Sequence, residues 1–64
     1  MKLKELKEVI YSDLIIIDHN TNNCYEDVWK DGEIFAKYSD YEVIGIRSVT
    51  NSNGTIDYIQ ISVK

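Results

Sequence analysis

YEVIGIRSVTNSNGTIDYIQISVK, residues 41–64, is the stretch on which the fold turns. Two runs of apolar and polar residues in near-alternation flank Asn53-Gly54. That pair suits a two-residue type I′ turn, because both of its positions need positive φ. The reading is a hairpin, with strands over 41–50 and 55–64. The turn sets the register: Ser52 opposite Thr55, Val49 opposite Tyr58, Arg47 opposite Gln60, Ile46 opposite Ile61 and Ile44 opposite Val63. Strand side chains alternate between faces. This register gathers Ile44, Ile46, Ile59, Ile61 and Val63 on a core face. Tyr41, Val43, Arg47, Val49, Tyr58 and Gln60 fall on the other, which is more apolar and aromatic than a fully solvated face requires.

The N-terminal half supplies the rest of the sheet and its cover. Residues 2–11 read as an amphipathic helix, with Leu3, Leu6, Val9 and Ile10 on one stripe and Lys2, Lys4, Glu5, Lys7 and Glu8 elsewhere. Residues 13–18 read as a strand. Its four consecutive apolar residues, Leu14 to Ile17, ask for burial on both faces. The Asn-rich stretch 19–23 is a turn, 24–29 a returning strand, 30–33 a second turn and 34–39 a short irregular helix. The expected fold is a single α+β domain over 1–64. Its N-terminal helix packs on a four-stranded antiparallel sheet built from two hairpins, in the order α-β-β-(short α)-β-β.

Size and composition bound the function. A chain of 64 residues buries only about 60% of its unfolded surface. Such chains usually need a staple. One cysteine, Cys24, rules out a disulfide within the chain, and with the single histidine it cannot furnish an ordinary structural zinc site. Self-association or an unusually good core remains, and the apolar outer face offers a surface for the first, unless residues 34–38 fold over it. The expectation is a homodimer through Tyr41, Val43, Arg47, Val49 and Tyr58. Residues 1–11 lack the apolar run of a signal peptide, and no stretch is long enough to span a membrane. A cytoplasmic location is expected, in keeping with an unpaired cysteine.

Net charge is −4. An acidic chain repels phosphate backbones, so direct nucleic-acid binding is not expected; contact with a basic protein surface is. The charge is also localised. Residues 25–42 hold six acids (Glu26, Asp27, Asp31, Glu33, Asp40, Glu42) against Lys30 and Lys37, and five of the seven aromatics. Aromatic side chains anchor interfaces and acids steer basic partners. The expected partner-binding residues are therefore Tyr25, Glu26, Asp27, Trp29, Asp31, Glu33, Tyr38, Asp40 and Glu42. Against this stands the plainer reading that Trp29 and Phe35 are core residues among solvated acids.

No catalytic constellation is expected. Asp18, His19 and Cys24 lie close in sequence but lack the spacing of a metal or nucleophile site. The carboxylate pairs Glu26/Asp27 and Asp31/Glu33 are explained by solubility and turn formation. No glycine-rich phosphate loop, cofactor or metal motif is present.

The ten Ile, five Tyr and five Asn, with one Ala and no Pro, match AT-rich codon usage. With its length, acidity and Lys2-Leu3-Lys4-Glu5-Leu6 opening helix before a sheet, the chain resembles the short orphan proteins of phages of low-GC Gram-positive bacteria, anti-CRISPR and other counter-defence proteins among them. The resemblance implies a phage inhibitor acting in the host cytoplasm and carries over no functional residue. The first expected function is a small acidic interaction protein that masks a basic, nucleic-acid-binding surface of a larger protein, such as a host defence enzyme. The alternative is a small-molecule or nucleotide-signal binder with a pocket at a subunit interface, where Lys30, Lys37 and Arg47 would meet phosphates. A carboxylate nuclease is the third possibility and is not expected.

Overall fold

The computed structural model describes residues 1–50 and 56–64, and the side chains of all of these except residues 49, 50, 56 and 57. The expected Asn53-Gly54 turn and the Ser52–Thr55 pair lie outside the described residues. A 3-10 helix, Leu3–Val9, opens the chain. Strands β1 (Leu14–Asp18) and β2 (Asn23–Val28), helix α1 (Glu33–Tyr38), and strands β3 (Val43–Thr50) and β4 (Ile56–Val63) follow. The element sequence matches expectation. Both hairpins form, β1 with β2 and β3 with β4, each antiparallel.

The sheet as a whole is mixed and not purely antiparallel. Its order is β2-β1-β4-β3, and the central pair β1 and β4 runs parallel. A hairpin's own sequence specifies how its two strands pair, but not which strand turns towards another hairpin or in which direction. The central placement of β1 explains its apolar run. Leu14 and Ile16 are buried under the helices, while Ile15 and Ile17 are partly covered on the second face.

The pairings form straight rows across the sheet. On the helix side, one row runs Tyr25, Ile16, Ile61, Ile46; another runs Val28, Leu14, Ile59, Ser48; a third runs Asn23, Asp18, Val63, Val43. Leu3, Ile10, Phe35 and Tyr38 close over this face and complete one core cluster with Leu14, Ile16, Val28, Ile61 and Val63. Ile46 has the inward register that was expected, yet is 54% exposed. It lies on an edge strand beyond the reach of both helices.

Two further expectations are corrected. The N-terminal helix is a 3-10 turn of seven residues and not a longer α-helix. Its first amides are held by the α1–β3 connection: Leu3 N–H donates to Tyr41 O at 3.1 Å and Lys4 N–H to Ser39 O at 2.9 Å. A helix so short gains little from propagation, and 3-10 spacing stacks Leu3 over Leu6. The chain then extends at Ile10 (φ −99°, ψ 124°), which buries Ile10 and leaves Val9 in solvent.

The second correction concerns β3. Arg47–Gln60, Ile46–Ile61 and Val49–Tyr58 pair as expected, but a bulge at Ile44 sets Val43, not Ile44, opposite Val63. One extra residue reverses the faces beyond it. Val43 and Tyr41 therefore pack against the core, not on the outer face, and Ile44 is 53% exposed. The bulge coincides with a change of partner. Val43 N–H turns away from β4 to donate to Met1 O at 2.7 Å, whereas Glu42 and Lys64 exchange both backbone bonds. Glu42 is thus flanked by Lys2 on one side, through an isolated bridge, and by Lys64 on the other.

Candidate functional site

The acidic, aromatic stretch divides into three parts once folded. The first belongs to the core. Tyr38 is 1% exposed and lies between Tyr25 (ring centroids 5.6 Å) and Tyr41 (4.7 Å, edge-on). Its hydroxyl is 2.9 Å from Asp18 Oδ2 and 3.2 Å from the Tyr25 oxygen. One hydroxyl carries one proton, and a carboxylate is the stronger acceptor. The Tyr38 proton is therefore directed chiefly at Asp18 and shared with the more distant Tyr25 oxygen. Asp18 is itself buried, and Oδ1 accepts Asn20 N–H at 2.8 Å. Burial pushes the Asp18 carboxyl upward, but hydrogen bonds from Asn20, Tyr38 and Thr21 outweigh it and hold the group below its ordinary range. The hydrogen bond with Tyr25, burial and the Asp18 charge push the Tyr38 phenol well above its ordinary 10.0. Tyr38 and, in large part, Tyr25 are thus withdrawn from the expected partner surface.

The second part is neutralised by the N-terminal segment. Lys7 Nζ is 3.3 Å from Asp31, Lys4 Nζ is 3.0 Å from Asp40, and the Met1 ammonium is 3.0 Å from Glu42. The hydrogen bond and charge of Lys4 lower the Asp40 carboxyl below its usual range. These pairs are exposed and add little stability, but they remove three of the six acids from the field a partner would meet.

The third part is the candidate site. Where β2 meets α1, a groove of about 280 Å³ is lined by Asp27, Val28, Trp29, Gly32, Glu33 and Ile34. A second bulge builds its near wall: Glu26 and Asp27 together oppose Ile15, and Asp27 takes φ 55°, a region Asp tolerates better than most residues. The turn that follows closes with Gly32 N–H donating to Trp29 O at 2.8 Å. A Cβ on Gly32 would lie 3.1 Å from that oxygen, so glycine lets the turn close tightly. Trp29 is left 46% exposed. Glu33 stands in the first turn of α1 on the far rim. Among the described residues, Glu26, Asp27 and Glu33 enter no ion pair.

Of the two aromatics expected together on the partner surface, Trp29 is exposed and Tyr38 is a core residue, while Phe35 is buried, as the plainer reading had it. The Tyr25–Tyr38–Asp18 chain was missed. Only its local end was legible, as an Asp placed to accept an amide two residues on.

A second groove of about 250 Å³ between the two helices is lined by Lys4, Lys7 and Lys30 over Phe35 and Ala36. Its cations are engaged, Lys4 and Lys7 by Asp40 and Asp31, and Lys30 over the Tyr11 ring at 4.9 Å. Lys30, Lys37 and Arg47 do not converge: Lys37 lies over Tyr38 in the helix layer, and Arg47 belongs to the opposite sheet face with Gln60. Asp18, His19 and Cys24 do not converge either. Asp18 points into the core, whereas Cys24 is exposed in the row of Ile17. Among the described residues no three His, Cys, Asp or Glu side chains gather as a metal site, and no helix is long and apolar enough to cross a membrane. The chain matches no protein-family model, no curated protein and no solved structure.

Proposed function

We propose that this chain is a binding module that engages a basic surface of a larger protein through the Trp29 groove, and does no chemistry of its own. The observation that carries the reading is the pairing of unneutralised carboxylates with an exposed indole. Asp27 and Glu33 rim the groove and Trp29 walls it, while the neighbouring acids Asp31, Asp40 and Glu42 are consumed within the chain. A lysine or arginine side chain fits this chemistry. Its aliphatic stem would lie along Val28 and Ile34, its charge would meet the carboxylates, and an indole face is the best aromatic partner for a cation.

In its sharpest form the module occupies the nucleic-acid-binding surface of an enzyme in the cytoplasm of a host cell, as a phage-borne inhibitor would.

Trp29 is the only tryptophan, so the groove reports on itself. Titration with an arginine-rich peptide should change Trp29 fluorescence saturably and weaken as salt rises. The double variant Asp27→Asn/Glu33→Gln should lose the response, and Glu8→Gln, on the 3-10 helix, should keep it. A response that survives neutralisation of both rim carboxylates, or none at low salt, would sink the reading.

A further inference from the structure

We infer that the sheet face opposite the helices is a self-complementary surface that pairs with a second copy of this chain, face to face, about a two-fold axis nearly parallel to the strands. The inference is independent of the Trp29 groove, which lies at the β2–α1 corner. Both helices pack on the other side of the sheet, against Leu14, Ile16, Ile61 and Val63. No described element covers Ile15 and Ile17 of the central strand, and both remain partly exposed.

The order of residues across this face selects the occupant. One row runs Glu26, Ile15, Gln60, Arg47 from edge to edge; the next runs Cys24, Ile17, Ser62, Gly45. Glu26 follows the inward-facing Tyr25 and so falls on this side. The middle of the face is uncharged, one edge carries an acid and the other a base. A two-fold axis along the strands lays β3 of one copy over β2 of the other while keeping each row in step. Arg47 then meets Glu26 of the second copy at both rims. In the next row Ile17 lies over Ser62 and Cys24 over Gly45, the larger side chain against the smaller, and in the first row Ile15 lies over Gln60. Sheets packed face to face stand about 10 Å apart with strands within about 30°, a gap that an arginine and a glutamate bridge together. An axis across the strands would instead bring Arg47 near Arg47 and Glu26 near Glu26. An isologous interface must complement itself, and this face does so in charge and in size.

Charge reversal tests the arrangement, since Arg47 and Glu26 are solvent-exposed and can be changed without touching the core. Light scattering after gel filtration should give the wild type about twice 7.4 kDa. Arg47→Glu and Glu26→Arg, each checked for an unchanged circular dichroism spectrum, should each self-associate at least about tenfold more weakly, because each sets like charges against one another. Mixed in equal amounts, the two variants should form a heterodimer by native mass spectrometry, and the double variant should self-associate like the wild type. A monomeric wild type at NMR concentration, single variants as dimeric as the wild type, or a double variant no better than the singles would each overturn the inference.

Discussion

Asp18 is the residue on which the interior is most sensitive. A buried carboxylate is tolerable only while it is charged and fully served by donors; here those are the Tyr38 hydroxyl, the Asn20 amide and Thr21. Removing the hydroxyl leaves the carboxylate short of a donor at unchanged shape. Tyr38→Phe is therefore expected to lower unfolding free energy by about 1–3 kcal/mol, measured by urea denaturation with an unchanged m-value. The pH dependence follows from the same group. The folded Asp18 pKa lies below its ordinary value of 3.8, so the unfolded chain binds this proton first. The stabilisation is complete above the ordinary carboxylate range and is lost as pH falls through the depressed value. Asp18→Asn should be less stable at neutral pH and show a shallower loss on acidification. Tyr38 acts at the other end of the scale: its raised pKa makes its contribution complete below the ordinary phenol value and lost as pH climbs above it.

At the scale of elements, the two bulges decide what the surface presents. At the β2 bulge Asp27 holds a left-handed backbone, so geometry and charge can be separated there. Asp27→Gly should keep or slightly raise stability, because glycine meets that φ freely, while weakening the Trp29 response to basic peptide. Asp27→Val should cost about 1–3 kcal/mol, seen as a lower melting midpoint. The β3 bulge shows the limit of what a sequence discloses. Local pairings were legible: Arg47–Gln60 and Ile46–Ile61 follow from alternation and a turn. The face of Val43 was not, because it depends on a hydrogen bond to Met1 O from a segment about forty residues away, a non-local partner that alternation cannot encode. The environment of Tyr38 was hidden for the same reason. Its hydroxyl is tolerable inside only because Asp18 arrives from another strand. Trp29, on the turn between β2 and α1, has no such partner among the described residues and stays out.

For the molecule as a whole, each hairpin could be read separately, but their union could not. The parallel pairing of β1 and β4 joins stretches more than forty residues apart, and both orientations satisfy the same apolar pattern. What the pattern did convey is a helix on one face of a sheet; that α1 joins it on that same face, leaving the other uncovered by any described element, was not legible. If that open face is closed by a second copy, folding and association are linked, and stability depends on protein concentration. The melting temperature should then rise by about 3–5 °C for each tenfold increase in concentration; an invariant midpoint would indicate a chain stable alone.

The flanking of Glu42 by Lys2 and Lys64 means that the two ends of the polypeptide are two strand spacings apart, about 10 Å. A linker of a few residues could join them, and a new start could be cut between Thr21 and Asn22 in the β1–β2 turn. In that circular permutant β4 would lead through the 3-10 helix straight into β1, turning the most distant strand pairing into a local strand–helix–strand crossover. The same cut makes β1–β2, the local pairing of the native order, the most distant one, so contact order rises overall and the permutant should fold more slowly than the native order, which would make the route by which this sheet assembles open to stopped-flow measurement.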